Sequence, residues 1–316
     1  MSAVLAIVGP TASGKSDLAM RLAEDLGGEI VNADALQVYR GFDVGTAKPT
    51  LAERTRVPHH LVDILDPHQP YSAGEFARRA RQAIAEIRAR HRLPIVVGGS
   101  GLYLRALLAG ISSLPAVDPR LRRGLRSMHR RRGLVPLRRM LELLDPEVAS
   151  RLAASDPQRT SRALEVALGT GRPLSWWIAR EPFGDKGMEA AQVGLTLARP
   201  LLYDRIAGRV SRMLAMGWVG EVEALLAAGV DPSMPAFQAI GYRQLARHVM
   251  GEGSLEEAVA DTVRATRRFA KRQQTWFRSE PDVTWFPADD VATQMPRILH
   301  FLAITGIGRE HGQARD

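Results

Sequence analysis

Residues 9–16 read Gly9-Pro10-Thr11-Ala12-Ser13-Gly14-Lys15-Ser16, a G-x-x-x-x-G-K-[ST] loop without a mismatch. The loop constrains the fold because it works only in one setting, between a buried strand and a helix. Val4 to Val8 is an apolar run that reads as that strand. Asp17 to Leu26 has Leu18, Ala19, Leu22, Ala23 and Leu26 at helical spacing. The glycines let backbone N–H groups turn toward phosphate oxygens, and the helix adds its positive end. Lys15 supplies a mobile charge, and the Ser16 hydroxyl can reach Mg²⁺. The loop therefore recognises a diphosphate. It does not choose among ATP, GTP and a prenyl diphosphate.

Two further apolar runs, Glu29-Ile30-Val31 and Pro94-Ile95-Val96-Val97, read as strands. Between them Ser72 to Arg90 has the helical period, with a cap expected at Ser72 and Glu75 three residues later. Strand, helix, strand, helix, strand predicts an α/β fold: a P-loop NTPase-like parallel sheet with helices on both faces. From Pro119 to Pro182 helical patterns dominate, and nine arginines fall between Arg120 and Arg139 without an acidic residue. Gln192 to Leu197 reads as a strand again, followed by helical stretches from Leu201 to Ala228 and from Ile240 to Phe277. The expected organisation is a core over 1–115, an all-helical insertion over 116–190, and a mainly helical second part of the core over 191–280. A C-terminal segment, 281–316, ends in a polar tail from Gly306 expected to be disordered.

Composition bounds the function classes. There is no cysteine, so disulfides, thiolate metal sites and cysteine nucleophiles are excluded. The formal net charge of +9 favours a polyanionic partner. The N-terminal residues carry no basic lead, and no apolar run approaches the roughly 20 residues of a membrane span. A cytoplasmic, monomeric chain without a membrane partner is expected.

Ligands of parallel sheets bind at the carboxyl ends of the strands. Asp34, after the second strand, either caps a turn or presents a carboxylate to a phosphate-bearing site, as base or magnesium ligand. Ser100, after the third, either closes a glycine turn or donates to a leaving group. Parallel strands would bring Lys15, Ser16, Asp34 and Ser100 to one cleft. The third strand ends in glycine and serine where an NTPase would carry an aspartate. Asp63 is a weak substitute, which counts against ordinary ATP hydrolysis.

The blocks Gly9 to Ser16, Asn32 to Pro49, Pro58 to Pro67, Tyr71 to Ala73, Gly98 to Tyr103, Asp156 to Leu164, Gly241 to Leu245 and Lys271 to Arg278 together resemble tRNA dimethylallyltransferases, in order and spacing, over nearly the whole chain. The resemblance implies Mg²⁺-dependent transfer of a dimethylallyl group from dimethylallyl diphosphate to the exocyclic amine of adenosine-37 in tRNA. It implies Asp34 as base, Ser100 where the family usually has threonine, and Gly9 to Ser16 with Arg205 on the diphosphate. It implies tRNA contacts from Asp34, Ala35, Leu36, Gln37, Ser100, Arg122, Gln158, Arg159, Thr160, Ser161, Arg162, Gly241, Tyr242, Arg243, Gln244, Lys271, Arg272, Gln273 and Arg278. Ala35 replaces the usual serine. Helical spacing puts Arg264, Arg268, Lys271, Thr275 and Arg278 on one stripe, with Val263, Ala270 and Phe277 inward. The alternatives are an adenylate isopentenyltransferase, a small-molecule P-loop kinase, and a nucleotide-regulated RNA-binding protein.

Overall fold

The computed structural model describes residues 4–110, 114–115, 117–180 and 187–307. They form two compact units, one of residues 1–108 with 188–316 and one of residues 109–187.

The larger unit is built on a six-stranded sheet in the order β3-β2-β4-β1-β5-β6, with every pairing parallel. The strands are β1 (Val4–Val8), β2 (Gly28–Asn32), β3 (His59–His60), β4 (Leu93–Gly98), β5 (Ala190–Thr196) and β6 (Val283–Pro287). Leu5, Ile7, Ile30, Ile95 and Val97 pack with α1 (Lys15–Leu26) in one apolar cluster. The alternate residues Val4, Ala6, Val31 and Val96 point the other way and are also buried. Both faces are therefore covered, which is why these strands read as continuous apolar runs. Helices α2 (Leu51–Arg56), α3 (Ala73–Ala89) and α4 (Gly101–Leu108) complete the first half. Ser72 caps α3 by accepting from the Glu75 N–H at 3.2 Å. The reciprocal half of the expected box is absent, because the Glu75 carboxylate pairs with Arg78 and Arg79 instead.

The smaller unit is helical throughout its described residues: α5 (Pro119–Arg132), α6 (Val135–Leu144), α7 (Pro146–Arg151), α8 (Pro157–Thr170) and α9 (Leu174–Arg180). Leu125, Leu137, Leu141, Val148 and Leu164 form its core. The buried Asp145 carboxylate ties it together, accepting from the N–H groups of Val148 and Ser175.

The chain then returns to the sheet through β5 and continues as α10 (Arg199–Ala215), α11 (Trp218–Ala227), α12 (Tyr242–Val249) and α13 (Leu255–Arg278). The two long helical stretches expected here are each broken at glycine, at Gly217 with φ 93° and at Gly251 and Gly253 with φ 85° and 104°. Residues 281–307 carry two further elements. They add β6 to the sheet edge and α14 (Val291–Ile304) to the core, burying Met295, Ile298, Leu302 and Ile307. Pro296 inside α14 hides its helical signal, and β6 buries only part of its length. Of the tail expected to be disordered, residues 308–316 lie outside the described residues. No described helix is long and apolar enough to cross a membrane.

One close approach fixes the carboxyl edge of the sheet. The Ala33 N–H donates to the Val97 carbonyl at 2.7 Å, and a Cβ on Gly98 would lie 2.7 Å from the Ala33 carbonyl carbon. Backbone cannot yield as a side-chain tip does. Gly98→Ala is expected to destabilise the fold by about 1–3 kcal/mol, the usual cost of overpacking. Urea denaturation with a loss below about 0.5 kcal/mol, within the scatter of a neutral surface change, would contradict this contact.

Candidate functional site

The phosphate loop leaves β1 through Gly9, whose φ of 145° is open to glycine. A Cβ there would meet the Leu195 carbonyl oxygen of β5 at 2.7 Å. Ala12 takes a left-handed conformation, and so does Gly14, the residue at the head of α1. No side chain caps α1, so its first N–H groups remain available to an anion. Thr11, Lys15 and Ser16 line a cavity of about 150 Å³. The Lys15 ammonium is folded back onto the Pro10 carbonyl at 2.6 Å. Its pKa is lowered to about 7, chiefly by burial and then by the neighbouring Arg209, with Asp34 opposing both.

Asp34 follows β2 through a chain of side-chain turns. Asn32 accepts from the Asp34 N–H at 3.1 Å, and Asp34 Oδ1 accepts from the Leu36 N–H at 2.8 Å. The carboxylate thus caps its turn, and the residue also lines a cavity. It lines the Lys15 cavity and a second, more apolar one of about 350 Å³. The second is walled by Leu36, Ile206, Val210, Met213, Trp218 and Phe269. Thr11, Asp34, Thr46, Arg209 and Phe269 belong to both. Gln37 lines the first cavity and donates to the carbonyls of Thr46 and Ala47, each at 3.1 Å.

The arginine at this junction is Arg209, not the Arg205 read from the sequence. Both lie on α10, one turn apart. Arg205 turns outward and donates to the Asp289 carbonyl at 3.3 Å. Arg209 lines both cavities and donates to the Thr46 carbonyl at 3.4 Å. Burial lowers its pKa, with Asp34 pulling the other way. The repeat of arginine four residues on was visible in the sequence; which of the two faced inward was not.

Sequence reasoning also missed Glu221. Its carboxylate accepts from the N–H groups of Asp43, Val44 and Gly45 at 2.9, 2.7 and 3.3 Å, and from the Tyr242 hydroxyl at 2.6 Å. Gly45 and Thr46 wall the apolar cavity, so Glu221 sets that wall from 176 residues away. Lys48 braces the same loop, donating to the Tyr39 carbonyl at 2.6 Å and pairing with Asp43 and Asp63. Arg54 takes the other Asp63 oxygen at 2.7 Å. Asp63 is thereby committed to holding the loop and lines neither cavity.

The remaining sequence candidates divide by exposure. Ser100 stands one residue beyond the cavity-lining Gly99, outside both linings, and its carbonyl accepts from the Tyr103 and Leu104 N–H groups to start α4. Tyr242, Gly241, Thr160 and Gln273 are buried. Tyr242 serves Glu221, Gly241 makes room for the Trp218 ring, and the Thr160 hydroxyl is enclosed. Gln273 reaches inward from α13, accepting from the Thr11 N–H at 2.8 Å and donating to the Gly99 carbonyl at 2.9 Å. Arg243, Lys271 and Arg278 are exposed, as is Arg272, which also borders the apolar cavity. Ala35 is half-buried, and Gln244 accepts from the Gly241 N–H. In the helical unit Gln158 and Arg159 are exposed and Ser161 half-buried. Arg122 and Arg162 both pair with the buried Glu165, at 3.1 and 3.3 Å. Among the described residues no three His, Asp or Glu side chains cluster as a metal cage.

Comparison with known proteins gives two family matches: the model described as IPP transferase over residues 37–280, and that described as isopentenyl transferase over residues 2–63. A tRNA dimethylallyltransferase of Halorhodospira halophila is 50% identical over 291 residues, covering 91% of this chain and 93% of the relative. One of Syntrophobacter fumaroxidans is 47% identical over 296 residues, covering 94% and 86%. The crystal structure of a tRNA isopentenylpyrophosphate transferase from Bacillus halodurans, 37% identical, superposes with a TM-score of 0.70 over 99% of each chain. A eukaryotic dimethylallyltransferase, described as acting on tRNA, gives a TM-score of 0.79 at 26% identity, covering 100% of this chain and 82% of its own.

A proton balance follows from Lys15. Burial first, then Arg209, set its pKa near 7 against the pull of Asp34, and a diphosphate bound beside it would favour the charged form. Such a complex would bind more protons than the free protein, so affinity for a diphosphate ligand would fall as pH rises above about 7. Calorimetry near pH 8, in buffers of different ionisation enthalpy, should show proton uptake on binding. Lys15→Arg should abolish the uptake, since a guanidinium stays charged. Equal uptake in both proteins would contradict this account.

Proposed function

We infer the reaction from one premise: this chain belongs to the IPP transferase family. We propose that it transfers a dimethylallyl group from dimethylallyl diphosphate to the N6 amine of adenosine-37, beside the anticodon of tRNA, and releases diphosphate. The curated relatives carry the name of that activity, and a structural neighbour is described as acting on tRNA. The observation that carries the proposal is the position of Asp34 in the shared wall of a cationic cavity and an apolar one.

In this reading the diphosphate lies on the phosphate loop and the flipped adenine enters the apolar cavity. Flipping costs a few kcal/mol, offset by stacking and hydrogen bonds in the pocket. Leu36, Trp218 and Phe269 offer apolar and aromatic surface for it. The bond between the donor's first carbon and its oxygen breaks, and the electron pair leaves with the diphosphate. Lys15, Arg209 and the first N–H groups of α1 neutralise that charge. The N6–carbon bond forms, and the N6 proton passes to the Asp34 carboxylate. The amine's lone pair is delocalised into the ring, so a base at this point is required for efficient attack. Ser100 is proposed to assist the leaving group from the end of the Gly98-Gly99 turn.

Mg²⁺ fits the donor set. The cavity offers the Ser16 hydroxyl without a carboxylate cage among the described residues. An ion that keeps its waters and takes further ligands from phosphate suits such a site. When bound it would neutralise charge on the leaving group. Basic and polar side chains of each unit, taken separately, are proposed RNA contacts: Arg122, Gln158, Arg159 and Arg162 in the helical unit, and Arg243, Lys271, Arg272 and Arg278 in the larger one. The reaction is proposed to take place in the cytoplasm.

The test is a product assay. With tRNA, dimethylallyl diphosphate and Mg²⁺, mass spectrometry should find one added C5H8 unit on adenosine-37, with no ATP consumed. Modification of free adenylate but not tRNA would move the activity to the nucleotide-level relatives, and stoichiometric ATP hydrolysis would replace the proposal with a kinase.

A further inference from the structure

The two glycine-rich turns that form the cationic cavity have few side chains with which to hold themselves. Residues 9–14 contain Gly9 and Gly14, and residues 98–101 contain Gly98, Gly99 and Gly101. They touch each other, since a Cβ on Gly99 would lie 3.5 Å from the Gly9 carbonyl. One side chain from elsewhere bonds to both. Gln273 Oε1 accepts from the Thr11 N–H at 2.8 Å, and Gln273 Nε2 donates to the Gly99 carbonyl at 2.9 Å. The same amide nitrogen occupies the space a side chain at Gly99 would need.

We infer that Gln273 is a positioning residue for the diphosphate, which sets the phosphate loop against the Gly98-Gly99 turn, and that it does not contact RNA. The inference rests on reading the phosphate loop as the diphosphate site. Three observations carry it. Gln273 is 6% exposed on a helix whose neighbouring Lys271, Arg272 and Arg278 are exposed. Ala270 and Phe277, three residues before it and four after, are at 0% and 1% exposure. They seat α13 against the core and fix how far the glutamine reaches. Finally, the two bonds need a donor and an acceptor on one planar group at this length. An amide supplies both, while a carboxylate lacks the donor, and a thioether lacks the donor and accepts only weakly. Because the Thr11 N–H is committed to Gln273, the clamp also determines which loop N–H groups remain for phosphate. A loop held in its binding shape beforehand loses less entropy on taking the ligand.

The experiment compares wild type, Gln273→Met and Gln273→Glu, using inorganic diphosphate with Mg²⁺ as one probe and unmodified tRNA as the other. Methionine keeps the length and removes both bonds. Glutamate keeps the acceptor, loses the donor and adds a negative charge beside the anion. Diphosphate affinity should fall about tenfold or more in Gln273→Met and further in Gln273→Glu, the size expected from losing one or two buried hydrogen bonds. The tRNA dissociation constant, measured without donor, should stay within about twofold, and KM for the alkyl diphosphate should rise while KM for tRNA does not. Weakened tRNA binding with unchanged diphosphate binding would overturn the inference and make Gln273 an RNA contact. Proportionate loss of both affinities, with a lowered melting temperature, would overturn it in favour of a purely structural role. Failure of the wild type to bind diphosphate would instead remove the reading of the loop on which the inference stands, and the inference with it.

Discussion

Parallel pairing of β1 with β4 on one side and β5 on the other is the constraint from which the site follows. It puts the carboxyl ends of β1, β2 and β4 on one edge, so the phosphate loop, the Asn32–Gln37 turn and the Gly98-Gly99 turn open together. It also makes the site depend on chain from beyond the helical unit. Gly9 leans on the Leu195 carbonyl of β5, and β5 joins the sheet only after residues 109–187 have been traversed. Helices α10, α11 and α13 then supply what the first hundred residues lack: Arg209 at the junction of the cavities, Glu221 under the 43–45 turn, and Gln273 behind the phosphate loop.

Lys15 and Arg209 share one neighbouring carboxylate. Two basic side chains, Lys15 and Arg209, are half-buried on one cavity, and desolvation pushes the pKa of each down. Asp34 is the one carboxylate acting on both, and it opposes that shift in each case. Buried charge without a full complement is costly in a fold of ordinary stability and is a mark of function. In the proposed reaction a diphosphate would supply balancing negative charge. As it left with a further electron pair, the same side chains would already be in place, with no reorganisation required. Lys48, more deeply buried than either, shows the structural counterpart. It has two carboxylates and a carbonyl for partners and simply braces a loop.

Local features were legible in the sequence. The apolar runs of β1, β2 and β4 are continuous because the sheet is covered on both faces, and the phosphate loop announces its own backbone geometry. Asp34 and Lys15 were found because they sit at strand and helix ends, where chain order and space coincide. Features made by distant packing were not legible. Glu221 bonds to backbone more than 170 residues away and has no neighbouring signature. Arg205 and Arg209 differ by one helical turn, a choice fixed by how α10 rolls on the core. β3 is two residues long, and Pro296 interrupts the pattern of α14. The inward place of Gln273, between Ala270 and Phe277, was available in the helical period, whereas its role was taken from the resemblance of the whole block Lys271 to Arg278.

The central claim is that the Asp34 carboxylate takes the adenine proton where the two cavities meet, and the substitution Asp34→Asn tests it most directly. Asparagine can still accept the Leu36 N–H, so the turn is kept, while charge and basicity are removed. The measurement is the single-turnover rate from a preformed complex with tRNA, alongside tRNA affinity. The account predicts a rate at least about a hundredfold lower, in line with typical general-base contributions, with affinity little changed. A rate within a few-fold of wild type would contradict it and leave Asp34 as the cap of a turn.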